Sequence, residues 1–262
     1  MNGLFDLTGR TAVVIGGAGY LGQPICNALA QYGASLVVAS RDTVRCRSLA
    51  EELSEKYKTG ALGEHVDLLN TDSIRRLYRT AAARFGKIDI LINNAYTPVA
   101  GSVEQTTDEL WNRGMEGTAG GVFRCVREVL PYMLENKYGK IVSIASMYGV
   151  MAPNPAIYGG SEKIGSPVCY GPGKAAVIQL TRHIAAYYGR RGILANCISP
   201  GPFPHTDVQA NREFMQALGE KTMLGRFGRP EELMGAVVFL ASDASGYVTG
   251  QNLCVDGGAT SW

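Results

Sequence analysis

The sequence predicts a doubly wound α/β domain: one seven-stranded parallel sheet flanked by helices. Three observations predict it. Short, continuously apolar runs rich in β-branched residues alternate with longer helical periods, as strands covered on both faces require. A glycine-rich turn joins the first run to the first helix. No linker, internal repeat or low-complexity tract divides the 262 residues, so one domain is expected.

The elements follow in order. Residues 11–15 read as a buried strand, 20–32 as a helix and 35–39 as a strand. A helix over 43–58, a strand near 61–66 and a helix over 71–85 come next, then a strand over 88–92. One long helical stretch, 106–135, leads to a strand at 140–145. Beyond a Gly/Pro-rich loop come a helix over 172–189 and a strand over 193–198. A loop-rich segment, 199–228, precedes a helix over 230–242 and a last strand near 251–255.

Composition narrows the function classes. With 25 Lys+Arg against 23 Asp+Glu the net charge is +2, and no basic cluster offers a nucleic-acid footprint. The first residues lack the basic and apolar regions of a signal peptide, and no apolar run is long enough to span a bilayer. The six cysteines are scattered without a C-x-x-C pair and read as reduced thiols. A soluble, cytoplasmic protein is therefore expected. His65, His183 and His205 lack paired metal spacing, so no metal is expected. Glycine is high, 33 of 262 residues, and clusters at 16–22, 114–121, 159–173 and 257–258, where close backbone approach is needed.

The first cluster carries a ligand signal. Gly16, Gly19 and Gly22 lie between the first strand and the first helix, where backbone N–H groups can face a pyrophosphate. At the end of the second strand, where an acid would bond a ribose 2′-hydroxyl, the chain has Ser40 and Arg41. A hydroxyl and a guanidinium suit a 2′-phosphate, so NADP(H) is the expected cofactor, with Asp42 leaving NAD possible. Asp67 is placed to meet the adenine amine, and Asn94 ends the fourth strand beside the same cleft.

A second signal is Tyr170-Gly171-Pro172-Gly173-Lys174, the only Y-x-x-x-K in the chain. Residues i and i+4 share a helix face, so the ammonium can lie near the phenol. A phenol with its usual pKa of about 10 is a poor base, and a nearby cation brings that value down. Ser146, just past the strand at 140–145, is placed to hydrogen-bond a substrate oxygen. These groups suit carbonyl–alcohol interconversion with a nicotinamide as hydride carrier.

With these residues in view, nearly the whole chain resembles the short-chain dehydrogenase/reductase family. Asn93-Asn94-Ala95, Ser146, Tyr170/Lys174, the run 196–201 and the tail 250–258 carry the resemblance. It implies a single-domain Rossmann fold, Tyr170 as general acid/base, Lys174 as its modulator and nicotinamide-ribose ligand, and Ser146 as polariser of the substrate oxygen. It also implies that the 200–206 loop borders the nicotinamide. The expected cofactor contacts thus include Tyr20, Leu21, Leu68, Pro200, Gly201 and Phe203 besides those above. A homo-oligomer, dimer or tetramer, is implied too, with Gly114, Gly117, Gly120 and Gly121 as a helix-pair contact.

Four departures qualify the pattern. The G-x-x-G-x-x-G spacing is similar to the longer, epimerase-type branch, which keeps a nucleotide-sugar epimerase as an alternative. Tyr96 stands where the family's Asn-Asn-Ala-Gly has glycine. Thr118 replaces the helical Asn of the proton relay, which admits a non-catalytic cofactor sensor as a third reading. Ser146 and Tyr170 lie 24 residues apart, about twice the usual separation, so residues 150–168 form an insertion. Its tyrosine, Tyr158, sits near the usual distance from Ser146, but position 162 is Glu and supplies no cation. The insertion reads as a flap over a hydroxyl/carbonyl substrate, sugar-like, with Tyr158, Glu162 and Lys163 as its contacts.

Overall fold

The computed structural model describes residues 3–159 and 166–262. Its seven strands are β1 (Thr11–Ile15), β2 (Ser35–Ser40), β3 (Ala61–His65), β4 (Ile90–Asn93), β5 (Gly139–Ile144), β6 (Ile193–Pro200) and β7 (Asn252–Val255). They form one parallel sheet in the order β3-β2-β1-β4-β5-β6-β7. The order reverses between β1 and β4, which opens a crevice at the carboxyl ends of those strands.

The alternation along each strand explains the continuous apolar runs. In β1, Val13 and Ile15 pack with α3 (Thr71–Phe85), α5 (Gly121–Asn136) and α6 (Tyr170–Tyr188). Ala12 and Val14 pack on the opposite face with α1 (Gly22–Gln31), α2 (Thr43–Tyr57) and α8 (Met234–Ala241). Both faces are dry, so neither set of side chains needs to be polar. Every cysteine is free, and all but Cys254 are buried. Among the described residues no helix is long and apolar enough to cross a membrane.

Two elements differ from expectation. The stretch 106–135 is not one helix: α4 (Asp108–Met115) and α5 are joined by a π turn, Glu116–Gly120. The Thr97 N–H donates to the Gly117 carbonyl at 3.0 Å, competing with the regular helical ladder. The segment 199–228 also contains α7 (Arg212–Gly219), started by Asn211, whose side chain accepts from the Phe214 N–H at 3.1 Å.

The glycines of α4 and α5 are explained within one chain. A Cβ at Gly114 would lie 2.4 Å from Cys169 Sγ, one at Gly117 2.2 Å from Thr97, and one at Gly121 3.2 Å from Leu68. Gly120 faces Glu116, its neighbour in the π turn. These positions serve close packing within the chain.

Candidate active site

The glycine turn is built by close backbone approach. Gly16 has φ +80°, and a Cβ there would lie 2.9 Å from Ala95. Its N–H donates to the Ala39 carbonyl at 2.7 Å, and its own carbonyl accepts from the Gly19 N–H and the Asn94 side-chain amide. Helix α1 then begins without a side-chain cap, whereas Asp42, Asn70, Thr107 and Asn211 cap α2, α3, α4 and α7. An uncapped positive helix end beside a glycine turn fits a pyrophosphate.

From this turn a cleft of about 550 Å³ runs across the carboxyl edge of the sheet. Of the expected cofactor residues, Gly16, Gly19, Tyr20, Leu21, Ser40, Arg41, Asp67, Leu68, Asn94, Tyr170 and Phe203 line it. Three do not. Gly22 packs inside the turn, where a Cβ would meet the Gly16 carbonyl at 2.0 Å. Gly201 is pressed on Asp256, 2.5 Å from an added Cβ, and Pro200 is buried at the end of β6. Their place in the structure is close packing behind the wall.

At the far end of the cleft Arg41 is joined by Arg45, which sequence reasoning overlooks. A cation in the first turn of α2 opposes the helix dipole, and that mismatch was the available signal of an anionic partner. The Asp42 carboxylate is engaged as the cap of α2, accepting from the Arg45 N–H at 3.0 Å. Ser40 Oγ lies 3.1 Å from the Asp42 N–H and 3.0 Å from Cys46 Sγ. The donor set at this end is cationic, as a ribose phosphate requires.

The other end holds Ser146, Tyr170 and Lys174. Tyr170 opens α6, and Ser146 stands in extended backbone just past β5, its Oγ accepting from the Tyr148 N–H at 3.1 Å. Burial pushes the Tyr170 phenol up, while a hydrogen bond with Ser146 pulls it down. Lys174 is buried, its Nζ donates to the Ile144 carbonyl at 2.7 Å, and burial lowers it to about 8. The expected lowering by Lys174 is not among the influences on the phenol: burial is the largest, and the Tyr96 and Tyr158 phenols raise it further.

A second cavity of about 200 Å³ meets the cleft at Tyr96 and Tyr170. Thr97, Thr118, Tyr148 and Ser166 line it together with Pro98, Val99, Pro167 and Cys169, and its surface is mostly apolar. Thr118 sits on the π turn against Gly173 of α6, so the replaced relay position still borders the reaction centre. Tyr158, expected as a flap contact, reaches Tyr148 of this lining. Its hydroxyl is 2.5 Å from that of Tyr148, its ring packs on Phe214, and its charge would raise the Tyr170 phenol. Glu162 and Lys163 lie outside the described residues. His205 stacks on Tyr20 at 4.7 Å on the cleft rim, while Tyr20 Oη donates to the Pro204 carbonyl at 2.9 Å. Among the described residues no cluster suits a metal ion.

Known proteins are similar to this chain along nearly its whole length. The family described as Enoyl-(Acyl carrier protein) reductase matches residues 17–260. The chain belongs to the short-chain dehydrogenase/reductase family. It is thereby an oxidoreductase acting on CH–OH groups. The gluconate 5-dehydrogenase of Gluconobacter oxydans is 34% identical over 261 residues, 98% of this chain and 97% of that protein. The (2S)-[(R)-hydroxy(phenyl)methyl]succinyl-CoA dehydrogenase subunit BbsD of Thauera aromatica is 33% identical over 251 residues, 95% of this chain and 96% of its own. Among solved structures, a gluconate 5-dehydrogenase from Burkholderia cenocepacia in complex with NADP and tartrate superposes with TM-score 0.89 at 31% identity. It covers 99% of this chain and 98% of that one.

Proposed function

We propose that this short-chain dehydrogenase/reductase interconverts a secondary alcohol and a ketone with NADP(H), on a small polyhydroxylated, sugar-derived substrate. The observation that carries the reading is the position of Tyr170, the phenol shared by the long cleft and the smaller cavity beside it. The cofactor reading rests on the uncapped α1 terminus, Arg41 and Arg45, and on the similar NADP complex. When bound, the nicotinamide supplies or accepts the hydride.

The chain's own groups do the rest. Tyr170 carries the proton at its phenol oxygen, giving it to the carbonyl oxygen in reduction and taking it back in oxidation. Ser146 donates a hydrogen bond toward the oxygen on which charge develops. Lys174, tied to Ile144, presents a cation near the phenol and toward the nicotinamide ribose. Arg41 and Arg45 would hold the 2′-phosphate, while Asn94 keeps the glycine turn shut. Hydroxyls of Thr97, Thr118, Tyr148 and Ser166 select a substrate bearing several hydroxyls, and the insertion at 150–168 is its flap. A homo-oligomer in the cytoplasm completes the proposal.

The test is absorbance at 340 nm with NADPH against ketoses and sugar-acid ketones, and with NADP against the matching alcohols. Net oxidation or reduction that disappears in Tyr170→Phe supports the reading. Product formed without net absorbance change would make the protein an epimerase instead, and binding without turnover across the panel a sensor.

A further inference from the structure

The Lys174 ammonium is buried with one hydrogen-bond acceptor, Ile144 O, and two aromatic rings. One ring belongs to Tyr170, whose centroid is 5.7 Å from Nζ. The other belongs to Tyr96 and is closer, at 5.2 Å. Tyr96 also touches Tyr170, with ring centroids 5.3 Å apart at 58°. The titratable groups against the ammonium come from α6 itself (Tyr170) and the turn after β4 (Tyr96). Among the described residues no carboxylate forms an ion pair with it, and burial depresses its pKa.

The backbone holds Tyr96 firmly in that position. Asn94 and Ala95 donate to the Ile15 carbonyl at 3.0 and 3.1 Å, and Ala95 abuts Gly16. On the other side Thr97 donates to Gly117 of the π turn. The residue is therefore strapped between the glycine turn and the π turn, with its ring on the wall shared by both cavities. An aromatic face attracts a desolvated cation more strongly than an exposed one. The family pattern given above has glycine here, so the ring is a departure from that pattern.

We propose that Tyr96 is a positioning residue: its ring face holds the Lys174 ammonium in place and charged beside the phenol of Tyr170. This rests on the reading of Tyr170 and Lys174 given above. It acts through Lys174 and transfers no proton itself, so the hydroxyl is dispensable and the ring is not.

The experiment is a titration of Lys174 by ¹⁵N-lysine side-chain NMR, with the resonance assigned by its loss in Lys174→Arg. The wild-type midpoint is expected near 8. Tyr96→Leu is expected to lower it by about one pH unit, the scale of a desolvated cation–π contact. Tyr96→Phe is expected to restore it, and the alkaline limb of kcat/KM for NADPH should move with it in each variant. An unmoved midpoint in Tyr96→Leu, or a loss in Tyr96→Phe equal to that in Tyr96→Leu, overturns the proposal. Should Tyr96→Leu fail to fold, Tyr96→Trp decides: a midpoint at or above wild type supports the ring, a lower one overturns it. A ring-dependent midpoint with turnover indifferent to Tyr170→Phe would sink the functional reading alone. Turnover that needs Tyr170 while the midpoint ignores the ring would sink this proposal alone.

Discussion

Lys174 and Ile144 are joined by a 2.7 Å hydrogen bond that crosses from the first turns of α6 to the end of β5. That bond spends the lysine's strongest contact on the scaffold, leaving its charge, and not a direct bond, to influence Tyr170. The phenol accordingly stays above its ordinary value in the free protein, and Ser146 is the neighbour that lowers it.

Tyr170→Phe is expected to cost about 10²- to 10⁴-fold in turnover, the usual worth of a positioned acid/base, with NADPH affinity nearly unchanged. Lys174→Ala should damage both. Tyr158→Phe should keep the chemical step, since its hydroxyl pairs with Tyr148. A dead Tyr158→Phe beside an active Tyr170→Phe would reverse the assignment of the two tyrosines across the insertion.

Arg41→Ala is expected to weaken NADPH by about 10- to 100-fold, the loss of a charge-assisted contact worth about 1.5–3 kcal/mol. Arg45→Ala should act in the same direction, and neither should weaken NADH. Fluorescence titration with both nucleotides measures this. A wild-type preference for NADH would refute the phosphate reading.

Lys174→Met should inactivate the enzyme and stabilise it by about 1–2 kcal/mol at neutral pH, since a charge held at about 8 instead of 10.5 opposes folding. Loss of the bond to Ile144 keeps the gain below the full burial cost. The sign follows from the depressed value. The penalty is complete below pH 8 and is relieved toward pH 10.5, so the stability gap between the two proteins should narrow across that window. In the same interval the ammonium is lost, and kcat/KM for NADPH should fall as pH rises through about 8. Denaturation at a series of pH values, with rates alongside, checks both.

Gly22→Ala should destabilise by about 3 kcal/mol and abolish nucleotide binding, because its methyl would sit 2.0 Å from the Gly16 carbonyl. Gly189→Ala is the control, with helical φ and nothing within 4 Å. Comparable losses in the two would remove the packing argument for Gly22.

Shortening the insertion between Pro153 and Pro167 should raise KM for the true substrate while leaving NADPH affinity in place. Tyr158→Ala should do the same more weakly, by freeing the segment from Phe214. Unchanged steady-state constants would return the segment to the role of scaffold.

The strands were legible because a sheet buried on both faces demands uninterrupted apolar runs, and Val13-Val14-Ile15 or Ile90-Leu91-Ile92 admit few other readings. Ser146, Tyr170 and Lys174 were legible by type and order despite the inserted residues, and β5 and α6 bring them together. The break between α4 and α5 was not, since the Thr97 N–H that competes for Gly117 lies 20 positions away in sequence. Nor was the short α7, whose eight residues sit among loops. Gly22, Pro200 and Gly201 stand outside the cleft lining for a related reason: close packing and ligand contact call for the same small or rigid residue types. Only the fold separates the two uses.

The pairing of β1 with β4 also constrains how the molecule can be made. Residue 12 meets residue 90, so the floor of the crevice closes only after β2, α2, β3 and α3 have been placed. A chain interrupted before Ile90 leaves β1 with one open edge of apolar strand, a template for pairing with other copies. Nucleotide cannot rescue such a fragment, because Asn94 and Ala95, which shut the glycine turn, have not yet been added. Fragments ending between α3 and β4 should therefore aggregate with or without NADPH, whereas the full chain gains protection from it. The dinucleotide is a guardian of the finished sheet, never a template for its first half.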